Sequence, residues 1–246
     1  MATAAKRSAR VISARTRTGK PTIGGQRARD GVYAHITDIG PTNERLRAFA
    51  ARNGLMDLIV VDRPWAYGKI RPKAEHPGEP SREYPCIIDS EVRKLDICAI
   101  TQPDSIVAEW CPVSQIGFLL DIWREQGIAY RTMITWAKLG SRGSLRSNAA
   151  AGAALPMTEM LVIGARGRGL RLRTDVEKIE RLLGVFFAPI GRHSEKPQWV
   201  HDQLAQVYGV RATSKAELFA REQKRGWHVW GNQSDGKHAR RAKEAV

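Results

Sequence analysis

The chain has 246 residues, enough for one α/β domain with tails and too few for two full domains. A formal charge of +15 and a pI of about 10.2 favour an acidic polymer, most simply nucleic acid, as partner. Cys86, Cys98 and Cys111 are odd in number and lack CxxC or zinc spacing, and no apolar run approaches a membrane span, so a disulfide framework, a metal site and a membrane protein are all disfavoured. Reduced thiols and the absence of a secretory apolar core place the expected compartment in the cytoplasm.

Residues 1–30 form a basic arm, with Lys6, Arg7, Arg10, Arg15, Arg17, Lys20, Arg27 and Arg29 among small residues without periodicity. Such a segment is expected to be disordered until something acidic binds it. The rest of the positive excess reads as spread through the body of the chain. Val32–Ile36 fits a short strand, and Asn43 a helix cap before Leu46, Phe49 and Ala50, with Gly54 as the stop.

Leu58-Ile59-Val60-Val61 is apolar and rich in β-branched residues, which suits a strand buried on both faces. Pro64 forbids its continuation in a central ladder, so Asp62 stands at the strand's carboxyl end. In open parallel sheets that edge binds ligands, and a carboxylate beside Trp65 predicts a pocket for a flat, amine-bearing group.

Gly68, Pro72, Pro77, Gly78 and Pro80 mark a long loop of the kind kept for function, read as a substrate lid. Its Tyr67 and Tyr84 either stack on nucleic acid or anchor the lid. A short helix is expected near Ser90–Leu95 and a strand over Ser105–Cys111, where Glu109 would be costly if fully buried. Ile116, Leu119, Leu120 and Trp123 share one helical face ending at Gly127. Tyr130–Trp136 then closes a βαβ unit.

Met157–Ile163 predicts a further strand. Gly164–Gly169 lacks the Walker lysine and reads as a basic turn. Thr174 opens a capping box and a short helix, Val185–Ala188 is a strand, and Pro197 begins a helix through Val200, Leu204 and Val207 to Gly209. Ala216–Ala220 and Trp227–Gly231 are the last strands, before a basic tail over 235–246. Trp110, Trp123, Trp136 and Trp199 are assigned to the core. His35, His76, His201 and His228 show no ligand spacing and receive no role.

Methyl transfer to an exocyclic amine needs an acceptor that positions the amine and an aromatic face that holds the base. Asp62, a neighbouring backbone carbonyl and Trp65 could supply them. Asp62-Arg63-Pro64-Trp65 resembles the Asp-Pro-Pro-Trp motif of S-adenosylmethionine-dependent adenine-N6 methyltransferases. The likeness extends in order through Tyr84-Pro85, Trp110, Ile134-Thr135-Trp136-Ala137-Lys138, Glu159 with Leu161–Gly164, His193-Ser194-Glu195-Lys196-Pro197, Glu217–Arg221 and Gly226–Asn232, and covers roughly residues 57–233.

The resemblance implies an α/β, Rossmann-like methyltransferase fold over residues 31–234, with a mostly parallel sheet flanked by helices and a circularly permuted motif order. By it, Asp62, Arg63, Pro64 and Trp65 form the catalytic stretch, and S-adenosylmethionine is the cofactor. Lys196 would meet the cofactor's carboxylate, Glu217 and Arg221 its ribose, and Asn232 and Gln233 its ribose and adenine. Asp38 and Ile39 would flank that adenine, Asp62 would border the cofactor, and Tyr67, Tyr84 and Lys138 would contact substrate.

Arg63 departs from the pattern: it replaces a proline, frees φ, and is expected to bring a cation into the site. The expected activity is methylation of adenine N6 in nucleic acid. DNA is preferred over RNA because the chain is compact and has no RNA-binding module. The alternative, motivated by Arg63, is a catalytically silent relative that acts as a nucleic-acid-binding or partner scaffold.

Overall fold

The strand predicted at Leu58–Val61 lies inside a seven-stranded sheet of order β5-β3-β4-β2-β1-β6-β7 in a computed structural model of the protein. The structure describes residues 35–66, 85–140, 143–145, 157–173, 183–191 and 195–231. The strands are β1 (Met56–Val61), β2 (Thr101–Pro112), β3 (Ile128–Leu139), β4 (Thr158–Arg166), β5 (Val185–Pro189), β6 (Lys215–Leu218) and β7 (His228–Trp230). The helices are α1 (Gly40–Asn53), α2 (Asp89–Val92), α3 (Ile116–Glu125) and α4 (Gln198–Val207).

Both faces of β1 are covered, as its unbroken apolar run requires. Met56, Ile59 and Val61 pack with Leu46 and Phe49 of α1 and with Leu119, Ile122 and Trp123 of α3. Leu58 and Val60 turn the other way and pack with Val200, Leu204 and Ala205 of α4. Each such side chain contributes roughly 1.5–3 kcal/mol by leaving water. The result is a three-layer, Rossmann-like α/β arrangement whose central strand ends at Asp62.

The sheet is mostly parallel, but β4 runs antiparallel to both β2 and β3 and lies between them. The predicted βαβ unit of β2, α3 and β3 therefore has its parallel strands separated by a third. Alternation and apolarity set a strand's buried faces but not its direction, so the sequence left this open. Gly164 of β4 is where α3 packs on the sheet: a Cβ there would lie 2.6 Å from the Trp123 ring. That glycine, and Arg166 after it, belong to the strand, and the expected basic turn shrinks to Gly167 and Arg168.

Three local readings change. Helix α1 starts at Gly40, and Asn43 sits inside it, donating to the Lys94 carbonyl (2.8 Å) and accepting from the Asp96 N–H (2.9 Å). Ile36 forms only an isolated parallel bridge to Ile87. Trp199 is 49% exposed, whereas Trp110, Trp123 and Trp136 are buried as expected. The basic arm, Val32–Ala34, the lid, the capping-box helix opened by Thr174 and the basic tail lie outside the described residues. Among the described residues Lys and Arg only slightly outnumber Asp and Glu, so most of the charge excess lies elsewhere in the chain. No helix among the described residues is long and apolar enough to cross a membrane.

Candidate active site

Parallel strands end at one edge of the sheet, and the antiparallel β4 begins there, so the chain delivers charged groups to that edge from five directions. Asp62 follows β1, Lys138 ends β3, Glu159 opens β4, Glu217 stands near the end of β6, and Lys196 precedes α4.

Four of them form a line of alternating charge. Lys196 Nζ lies 3.0 Å from Asp62 Oδ1 and 3.1 Å from Glu159 Oε1, and Lys138 Nζ lies 2.8 Å from Glu159 Oε2. Burial alone would raise the Glu159 carboxyl, but the two lysines outweigh it and hold the group below its usual range. Asp62 is the open end of this line, with 24% of its side chain exposed against 8% for Lys196. A buried lysine thus holds a partly exposed carboxylate in one position. Lys138, expected to touch substrate, is 17% exposed, paired with Glu159 and packed over the Trp136 ring.

Arg63 does not enter the site as a free cation. Its guanidinium is buried, with Nε donating to Glu109 Oε1 (2.6 Å), Nη2 to Oε2 (2.9 Å) and Nη1 to the Val92 carbonyl (3.0 Å). Trp123 Nε1 donates to the same Glu109 Oε2 (3.3 Å). Burial raises the Glu109 carboxyl above its usual range, and Arg63 opposes that shift. Both oxygens serve as acceptors, the geometry of a carboxylate. The burial that made Glu109 look costly is thus answered by the residue that broke the motif.

Trp65 is only 4% exposed, which leaves little of its ring for a base to stack on. The indole meets Phe118 edge to face (6.4 Å), carries the Arg63 guanidinium at 5.3 Å, and donates to the Trp110 carbonyl (3.4 Å). Apolar neighbours on α3 claim it for the core, where burying an indole is more favourable than leaving it exposed. The carbonyls on either side of the motif's remaining proline are also engaged: Arg63 O accepts from the Trp65 N–H and Pro64 O from the Ile87 N–H, both at 2.9 Å. Each keeps a second lone pair.

Asp38 and Ile39 lie at the start of α1, tied to the same loops. The Ile39 N–H donates to Glu91 Oε2 (3.0 Å), and Asp38 Oδ1 accepts from the Gly40 N–H (2.9 Å). Asp38 is exposed and Ile39 buried. Arg221 lies half-buried in the turn between β6 and β7. Tyr67, Tyr84, His193, Ser194, Asn232 and Gln233 lie outside the described residues; the last two directly follow Gly231.

His201, given no role from its spacing, organises the other side of β6. Trp110 Nε1 donates to His201 Nε2 (2.8 Å), and Nδ1 lies 3.4 Å from Glu217 Oε2. An indole N–H only donates, so Nε2 is the acceptor and the ring proton sits on Nδ1, facing Glu217. Lys224 Nζ meets the same carboxylate oxygen at 2.6 Å. Burial would raise Glu217, yet His201 and Lys224 hold it below its usual range, so it presents a carboxylate at neutral pH. No sequence spacing announces this partnership: His201 and Trp110 are 91 residues apart. His201→Phe, which strands the Trp110 N–H, is expected to cost about 1–3 kcal/mol in urea unfolding, while His201→Gln, with an acceptor and a donor, recovers most of it.

One residue past β6, Phe219 has φ +62°, a conformation rarely adopted by a bulky side chain. It packs edge to face on Trp230 (5.2 Å), and the Leu218 carbonyl before it accepts the Asp62 N–H (3.3 Å). Strain of this kind gathers at functional edges, and here it adjoins Asp62.

Residues 56–233 of the chain match the MT-A70 family. The curated protein "Type II methyltransferase M.MunI" of Mycoplasma sp is 28% identical over 189 residues, covering 71% of this chain and 76% of that protein. The matched region begins with β1 and runs past β7, so it takes in the whole sheet and the five charged groups Asp62, Lys138, Glu159, Lys196 and Glu217. With its Rossmann-like sheet, the motif strand β1 early and its neighbour β6 late, the chain belongs to the MT-A70 family of methyltransferases.

Proposed function

We propose that the protein transfers a methyl group from S-adenosylmethionine to the N6 amine of adenine in nucleic acid, with DNA as the preferred substrate. The observation that carries this reading is Asp62: a partly exposed carboxylate at the end of a central strand, held by a buried lysine, at the head of a family-like motif. The bound cofactor supplies an electrophilic methyl group.

The donor set fits such a cofactor chemically. Lys196 offers a cation for a carboxylate, and Glu217, an acceptor at neutral pH, suits ribose hydroxyls. Arg221 in the turn after β6, and Asn232 and Gln233 by their place in the motif order, are assigned to the ribose and adenine, and Asp38 with Ile39 to the adenine. Asp62 and the free lone pair of a motif carbonyl accept the two amine hydrogens, orienting the nitrogen lone pair for attack. Because Trp65 is buried, the stacking surface falls to Tyr67 and Tyr84. The basic arm over residues 1–30 supports a polyanionic substrate by counterion release.

Incubating purified protein with labelled S-adenosylmethionine and either DNA or RNA, then digesting to nucleosides for mass spectrometry, tests base, atom and polymer together. The expected product is N6-methyladenine from DNA. Label in another base, or only in RNA, would correct the substrate. No label, together with salt-sensitive DNA binding, would instead support the scaffold reading.

A further inference from the structure

The second position of the motif is where the chain departs from the pattern it resembles, and its side chain is held by three hydrogen bonds and a ring contact beside Asp62. Arg63 is 2% exposed and Glu109 fully buried. The fork of Arg63 on Glu109 joins the loop after β1 to β2, the bond to Val92 joins it to the end of α2, and Trp123 brings in α3. On its outer side the guanidinium supports the Trp65 ring. A short, fully desolvated and bidentate pair in four-way contact fixes the backbone on both sides of residue 63.

We infer that Arg63 is a positioning residue for methyl transfer, acting through Glu109, and that the identities of residues 63 and 109 are coupled. A proline at 63 would fix φ by its ring but leave Glu109 in the core without its countercharge, with Trp123 as its remaining donor among the described residues. Arginine leaves φ free, and the salt bridge restores the constraint from the side-chain end. The motif is therefore compensated, not decayed. Asp62 and Pro64 flank the clamped residue, so their aim depends on a contact formed 46 residues away in sequence. The catalytic half of this inference rests on the adenine-N6 reading; the coupling does not.

Three variants of the full chain test it: Arg63→Lys, Arg63→Pro, and Arg63→Pro combined with Glu109→Leu. Urea unfolding, calorimetric binding of S-adenosylmethionine, and kcat and KM for methyl transfer are measured on each. A lysine keeps the charge but cannot fork, so Arg63→Lys is expected to bind cofactor within about twofold of the parent while losing kcat by about tenfold or more, since small misplacements at a reacting centre have effects of that order. Arg63→Pro is expected to lose both stability and kcat, and the double variant to recover stability together with at least about tenfold of the lost kcat.

Arg63→Lys retaining kcat within twofold overturns the positioning role. A double variant no more stable than Arg63→Pro overturns the coupling. If the parent methylates no nucleic acid, the adenine reading falls and the positioning role with it, while the unfolding data still decide whether the two residues are coupled.

Discussion

Asp62→Asn is expected to reduce methyl transfer by about a hundredfold or more in single-turnover assays, with little change in urea unfolding. The carboxylate is the most exposed group of the charged line, and an amide in its place presents a donor as well as an acceptor to the incoming amine. Stability should move by less than about 1 kcal/mol, because Asp62 is partly solvated and Lys196 keeps its second partner, Glu159. Activity within tenfold of the parent would remove Asp62 from the chemistry and return the site to a structural ion cluster.

Glu109→Ala is expected to have the opposite profile, with its main effect on folding. It leaves the Arg63 guanidinium buried with the Val92 carbonyl and the Trp65 ring as its remaining partners among the described residues. Breaking one side of a buried pair costs about 3–5 kcal/mol, which for a domain of this size lowers the melting temperature by roughly 6–20 °C. Asp96→Ala provides the contrast. Its pair with Arg47 is exposed on both sides at 3.4 Å, and the ion pair itself is worth less than about 1 kcal/mol. Asp96 also accepts the Ala99 N–H, so Arg47→Ala is the cleaner control for the charge alone. Equal effects of Glu109→Ala and Arg47→Ala on thermal unfolding would show that the buried fork contributes no more than a surface pair.

These two substitutions separate what Arg63 blurs in the sequence. Read along the chain, an arginine in place of a proline looks like damage to a motif or a cation delivered to a ligand. In the folded protein its guanidinium is buried and paired with Glu109 beneath the site. The same pairing changes the expected effect of Arg63→Pro, which restores the family-like residue but removes the fork donor to a buried acid.

Much of the scaffold was readable from neighbours in sequence. The apolar run Leu58–Val61 specified a strand covered on both faces, Pro64 fixed where it ended, and the i, i+3, i+4 and i+7 pattern of Ile116, Leu119, Leu120 and Trp123 specified α3. The ordered motifs put Asp62, Lys196 and Glu217 in one expected site, and the parallel pairing of β1 with β6 brings the strands of Asp62 and Glu217 side by side, while Lys196 reaches Asp62 from the segment before α4. These features depend on local periodicity and backbone chemistry, which a linear sequence records directly.

The partners of those residues were settled only by tertiary structure. The antiparallel entry of β4 sets Glu159 against Lys138 and Lys196; the packing of Phe118 of α3 against Trp65 helps to bury that ring; and α4 carries His201 between Trp110 and Glu217. Strand direction, sheet order and the side of a helix that meets a charge are properties of the assembled chain. A buried charge must find its partner wherever the fold places one, so the sequence by itself determined which groups reach the edge, and only the fold decided which of them remain available there.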